Sequence, residues 1–215
     1  MGSTSPPRGR PRLLSFRRGL LRGIGRPLIR LLTRLRITGA ENFPKNGPLI
    51  VVGNHAALLD PVLMAIFTPW PVDIVGGTDI PRERFSEIVS GAYGFIPVKR
   101  GQVDRSALRL ALDVLKSGGV IGIFPQGGIW QTTASDLQEQ SLQRGVAWLS
   151  QQSGAPVLPM YFGGTYGALQ QAMRLKRPRL SIAVGKLTPA VAAFAGAAQA
   201  PGEDLKSHLQ AYTRE

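Results

Sequence analysis

The chain has 215 residues, 43% of them hydrophobic, with 26 Lys and Arg against 13 Asp and Glu, and no cysteine. That length suits one sizeable core rather than two full domains. The missing cysteines exclude disulfides, thiolate metal sites and a cysteine nucleophile, and they fit a reducing compartment, with the cytoplasm as the default. A formal net charge of +13 points to a partner that carries phosphate, either nucleic acid or anionic lipid.

The basic excess is concentrated at the N-terminus, where residues 1–40 hold ten Arg and no acidic residue. Within this arm Arg18, Arg22, Arg26, Arg30 and Arg34 recur every four residues, and Leu20, Ile24, Leu28, Leu31 and Leu35 every three or four. At about 100° per residue the two sets fall on opposite faces of a helix. The expectation is a basic amphipathic arm over residues 1–36. Residues 13–36 would lie peripherally on the cytoplasmic face of a membrane, apolar face in the acyl boundary and guanidinium groups on lipid phosphates. Arg interrupts every apolar run well short of the roughly 20 residues needed to span a bilayer. Two other readings stay open: a helix packed on its own domain with Arg toward solvent, and an organellar transit peptide. Gly23, Gly25 and Pro27 predict two short helices instead of one rod.

Past the arm, short β-branched runs alternate with helical patterns, which predicts an α/β fold: a single-domain mixed sheet flanked by helices over residues 37–215. Strands are expected at Leu49 to Val52, Val72 to Gly76, Phe95 to Val98, Val120 to Phe124, Val157 to Phe162 and Leu180 to Val184. Helices are expected from Pro61, with Asp60 as N-cap, and over Arg82 to Ala92, Ser106 to Lys116, Leu137 to Gln152 and Glu203 to Tyr212. No internal repeat is visible.

The chain has two histidines, and His55 follows the first of these body strands in a turn that leads into a helix, with Asp60 five residues on. A strand end fixes the backbone, and a carboxylate on one ring nitrogen would set the tautomer and stabilise an imidazolium. Spacing alone favours a plainer account, in which Asp60 only caps the helix and His55 is a loop histidine.

Further segments change that balance. NHAALLD at 54–60, GFIPVKRG at 94–101, FPQGG at 124–128 and VLPM at 157–160 occur in the order and approximate intervals of the four motif blocks of the glycerolipid acyltransferases. Over roughly Ile37 to Val184 the sequence resembles the 1-acylglycerol-3-phosphate acyltransferase family. The resemblance implies that His55 is the general base that deprotonates the acceptor hydroxyl and that Asp60 orients it. It also implies that Arg100, with Lys99 beside it, holds the acceptor phosphate, for which a guanidinium fork is well shaped.

The third block departs from the family pattern, because Gln126 stands where relatives have glutamate and Gly127-Gly128-Ile129-Trp130 replaces a segment that ends in arginine. An amide keeps the shape of a carboxylate but loses its charge and adds two donors. This puts the acceptor headgroup in doubt and leaves the histidine chemistry untouched. Asn54, Gln126, Gly127 and Gly128 join the substrate-binding candidates; the two glycines serve equally as a tight turn or as N–H donors to an oxyanion.

The expected activity is therefore acyl transfer from acyl-CoA or acyl carrier protein to a lysophospholipid, without a metal or redox cofactor. A non-phosphate lyso-lipid acceptor and a non-catalytic lipid-binding relative are the alternatives. The Leu58-Leu59 to Phe67 stretch is a candidate wall for the acyl groove. No nucleic-acid block appears in the body.

Overall fold

The computed structural model describes residues 12–77, 93–98, 104–125 and 145–190, and in it the aliphatic runs become strands of one mixed sheet. In chain order these residues form α1 (Arg12–Leu32), β1 (Arg34–Thr38), a 3-10 turn (Ala40–Asn42), β2 (Leu49–Gly53), α2 (Leu59–Phe67), β3 (Val72–Gly77) and β4 (Phe95–Val98). There follow α3 (Arg105–Lys116), β5 (Val120–Ile123), α4 (145–153), β6 (Val157–Gly163), α5 (Ala168–Met173) and β7 (Arg179–Val184). The sheet order is β1-β7-β6-β2-β5-β3-β4; β6 and β7 pair antiparallel and every other pairing is parallel.

Strand β2 lies at the centre of the sheet and is buried along its whole length, which is why LIVVG reads as a continuous apolar run instead of an alternation. Leu49 and Val51 join a core with Leu63 and Met64 of α2 and Ile29 of α1. Ile50 and Val52 join a second core with Ala111 and Leu115 of α3 and Leu149 of α4. The sheet is thus covered on both faces. Close packing of α2 on the sheet requires small residues beneath it. A Cβ on Gly53 would lie 2.9 Å from the Phe162 ring, and one on Gly122 would lie 2.6 Å from Met64 Sδ.

The fold class is as expected, and the strand positions agree to within one residue at either end. Helix α3 starts where Asp104 caps it, its side chain accepting from the N–H groups of Ser106 and Ala107. Three expectations are corrected. The arm forms one 21-residue helix instead of two, with Pro27 inside it. Gly23, whose carbonyl Pro27 leaves without its helical partner, is exposed, so water can meet that carbonyl. The helical ladder also ends at Leu32, since Arg34 and Leu35 belong to β1, an edge strand whose residues alternate between exposed and half-buried. In RLRIT a period of two overlies the period of four of the arginines, and pairing to β7 decides between them. Finally, Leu58 is the N-cap of α2, with Asp60 inside the first turn.

The short helix α5 has no counterpart among the expected elements. The helices expected over Arg82 to Ala92 and Glu203 to Tyr212, and the first part of that over Leu137 to Gln152, lie outside the described residues; α4 agrees with the rest of the latter. Among the described residues no helix is long and apolar enough to cross a membrane.

Candidate active site

Strand β2 ends at Gly53, and the next residues turn along the C-terminal edge of the sheet into α2. Asn54 anchors that turn: its Nδ2 donates to the Phe162 carbonyl at 2.9 Å and its Oδ1 accepts the Phe162 N–H at 2.7 Å. The amide proposed from sequence as a substrate contact therefore bridges the end of β2 to β6, with both of its ends on the backbone of Phe162.

His55 follows at once, with Nδ1 3.3 Å from Oδ2 of Asp60. The same oxygen accepts the backbone N–H groups of Ala56 at 2.6 Å and Ala57 at 2.7 Å. Instead of capping the N–H groups that follow it, Asp60 thus reaches back and closes the loop that carries the histidine. Its side chain is 0% exposed, and its Oδ1 is buried without a hydrogen-bond partner among the described residues. A buried carboxylate needs compensation. Two N–H groups and the positive end of the α2 dipole supply it.

The His55 side chain is 13% exposed and its ring sits against Phe124, centroids 4.8 Å apart. Phe124 in turn faces Phe162 at 6.3 Å. The imidazole therefore has an aromatic wall on one side and a carboxylate on Nδ1. The contact of 3.3 Å is long for a hydrogen bond, and such contacts often tighten only when substrate is bound. With the Nδ1 proton directed at Asp60, Nε2 becomes the basic atom of the ring. The arrangement can accept a proton and hold the imidazolium that results. Among the described residues no three His, Asp or Glu side chains gather as a metal-ligand set.

Helix α1 packs on the domain through its basic face, opposite to the expectation of a packed helix with Arg toward solvent. Arg18, Arg22, Arg26 and Arg30 face the domain. Arg18 is 2% exposed, with Nε donating to the Tyr93 carbonyl at 2.8 Å, a terminal nitrogen 2.7 Å from Oδ1 of Asp73, and its guanidinium over the Tyr93 ring. Arg22 donates to the Thr68 carbonyl, and Arg26 donates to the carbonyls of Ile66 at 2.8 Å and Thr68 at 2.9 Å. Arg30 lies over the Phe67 ring. These residues satisfy carbonyls at the C-terminal end of α2, where cations also complement the helix dipole. Burial draws the Arg22 pKa below its ordinary value; Tyr93 opposes this and Arg26 adds to it. The outward face is the apolar one, with Leu13, Phe16, Leu20, Ile24, Leu28 and Leu31 all exposed, Phe16 by 69% and Leu31 by 68%.

The other predicted site residues, Lys99, Arg100, Gln126, Gly127 and Gly128, lie outside the described residues. Strands β4 and β5 run parallel to β2, so the chain leaves Val98 and Pro125 at the same edge of the sheet as His55. Leu59 and Phe67, expected to line an acyl groove, are buried in the core beneath the sheet. Sequence reasoning missed Phe124 as a wall of the site. Its place at the end of β5, the parallel neighbour of β2, is the signal that locates it.

A model of the acyltransferase family matches residues 34–163, well over half of the chain and including both His55 and Asp60. The chain belongs to the acyltransferase family. Two relatives of this chain are bacterial proteins named 1-acyl-sn-glycerol-3-phosphate acyltransferase. That of Borreliella burgdorferi is 30% identical over 129 residues, covering 59% of this chain and 50% of the relative. That of Bacillus subtilis is 21% identical over 131 residues, covering 60% and 63%. The matched segment thus spans about half to two thirds of the length of these relatives. The fold is also that of the crystal structure of PlsC from Thermotoga maritima, a 1-acyl-sn-glycerophosphate (LPA) acyltransferase, with a TM-score of 0.65 and 20% identity over 97% of this chain and 84% of that one.

Proposed function

We propose that the protein transfers a fatty acyl group from a thioester of coenzyme A or acyl carrier protein to the free hydroxyl of a lysophospholipid such as 1-acylglycerol-3-phosphate. His55 takes the hydroxyl proton on Nε2 as the oxygen attacks the thioester carbonyl. The tetrahedral intermediate then collapses, the thiolate leaves, and the imidazolium returns the proton to sulfur. Asp60 holds the ring and stabilises its charged form. Lys99 and Arg100 bind the acceptor phosphate. The observation that carries this reading is the fully buried Asp60, whose Oδ2 meets two loop N–H groups and the His55 ring within the segment matched by the family.

The exposed apolar stripe of α1 gives the enzyme a place at its substrate. Inserted at the acyl boundary on the cytoplasmic face, it holds the domain peripherally on the bilayer while the arginines stay on protein carbonyls. Gln126, in place of the family glutamate, favours a second reading of the acceptor, a lyso-lipid without a phosphate monoester. An acceptor and donor screen on the purified protein tests both. Fast acylation of lysophosphatidic acid supports the first, and poor acylation of it beside good turnover of another lyso-lipid overturns that assignment. Failure with every lyso-lipid overturns both.

A further inference from the structure

Helix α5 ends in a way its sequence does not favour. The N–H of Leu175 bonds to the Ala172 carbonyl at 2.9 Å and that of Lys176 to the Gln171 carbonyl at 3.0 Å, which is the paired closure of a Schellman motif. In that motif the position held by Leu175 is left-handed and ordinarily glycine. Leu175 adopts it with φ of 56°, and Arg177 follows with φ of 47°. Side chains with a Cβ are disfavoured there. Leucine at that position is ordinarily expected to find packing in return, yet Leu175 is 74% exposed and Met173 beside it is also exposed. Among the described residues no local packing explains the choice of residue.

The surroundings are uniformly cationic. Arg174, Lys176, Arg177 and Arg179 are all exposed, and residues 163–190 contain no Asp or Glu. Two apolar side chains thus stand among four cations on one short turn. The turn is also placed with purpose. Strand β7 runs antiparallel to β6, with Ser181 opposite Gly163, and β6 runs with β2, Met160 opposite Gly53. The start of β7 therefore projects past the end of β2 on the His55 side, by roughly 15 Å at about 3.3 Å per residue. The turn abuts the end of α1 as well: Arg34 N–H bonds to the Pro178 carbonyl at 2.8 Å, and Arg34 pairs with Arg179.

We infer that the turn 173–177 is a second bilayer contact, selective for anionic lipid, in which Leu175 and Met173 enter the acyl boundary while Arg174, Lys176 and Arg177 lie on headgroup phosphates. The inference rests on the reading of α1 as a membrane-lying helix. It adds what a single helix cannot supply, since a helix in the interface leaves the domain able to roll about its axis. A second contact beyond the C-terminal edge of the sheet stops that roll with the His55 side toward the lipid. Charge favours a bilayer of anionic lipid, and the outward apolar side chains favour it over a purely ionic partner.

The test is flotation of the full chain with phosphatidylcholine vesicles and with vesicles about one third phosphatidylglycerol, comparing wild type with Leu175→Gly and with Arg174→Gln/Lys176→Gln. Glycine suits the left-handed position, so Leu175→Gly keeps or raises thermal stability and a loss of binding in it is not a loss of folding. The expected result is an unchanged partition on phosphatidylcholine by the charge variant, and a fall of about fivefold for each cation removed on the anionic vesicles. Leu175→Gly weakens binding to the anionic vesicles. Unchanged partition of both variants on anionic vesicles overturns the second contact while leaving α1 in place. Wild type that floats with neither vesicle overturns the membrane reading of α1 as well. Unchanged partition combined with slower use of donor carried on acyl carrier protein, relative to coenzyme A, overturns the lipid assignment and gives the patch to an acidic protein.

Discussion

The turn that carries His55 and the helix α1 satisfy their polar groups in opposite ways. In the turn, one buried carboxylate collects two N–H groups and an imidazole, and a short local segment supplies all of them. In α1, arginines spaced every four residues reach carbonyls and a carboxylate up to 75 residues away in sequence, and the leucines are left outside. The first arrangement suits the base that we propose. The second inverts the usual order of burial and leaves an apolar face exposed. A charged face can thus be the inward one when the surface it meets offers helix C-terminal carbonyls and a carboxylate.

The largest effect is expected at the pair of His55 and Asp60. Asp60→Asn keeps the volume but loses the charge that holds the imidazolium, and turnover falls on the order of 10²- to 10⁴-fold. Circular dichroism and vesicle flotation stay as in wild type. If turnover falls less than tenfold, Asp60 is a loop staple and not the orienter of His55.

The inward face of α1 comes next. Arg18→Met removes the guanidinium that lies 2.7 Å from Asp73, and breaking a buried ion pair in this way destabilises by about 3–5 kcal/mol. Urea unfolding measures this. A change below about 1 kcal/mol would mean that the arginine face is not what fastens α1 to the domain.

The smallest effect is expected on the outward face. Ile24→Gln and Leu31→Gln each remove one inserted side chain, worth about 1.5–3 kcal/mol or roughly tenfold or more in vesicle partition, without loss of fold. Turnover of an acceptor dispersed in detergent is unaffected. These substitutions isolate the outward face better than deletion of the arm does, because residues 1–36 include Arg18 and three of the five residues of β1. If both variants partition as wild type does, the outward leucines are not the membrane contact.

How much of this was legible in the sequence follows the same division. The six strands from β2 to β7 were legible because each is an apolar run closed by turn residues, and the pairing of His55 with Asp60 was pointed to by the motif blocks around it, since their spacing alone favoured a helix cap and a loop histidine. The periodicity of α1 showed two faces, but amphipathicity carries no sign: Arg18 is buried only because Asp73 and the Tyr93 carbonyl are waiting, and neither is near it in sequence. Strand β1 was hidden because Arg34 and Leu35 continue the helical spacing, and only Arg179 and Leu180 opposite them make a strand. The role of Asn54 as a bridge to Phe162 likewise depends on a partner 108 residues away.

The most direct measurement is turnover of a fatty acyl thioester with a lyso-lipid by the His55→Ala protein, read beside flotation of the same sample with vesicles. Loss of turnover by about 10²-fold or more, with wild-type flotation and wild-type unfolding, is the predicted result. Turnover within a few-fold of wild type would contradict the assignment of His55 as the base.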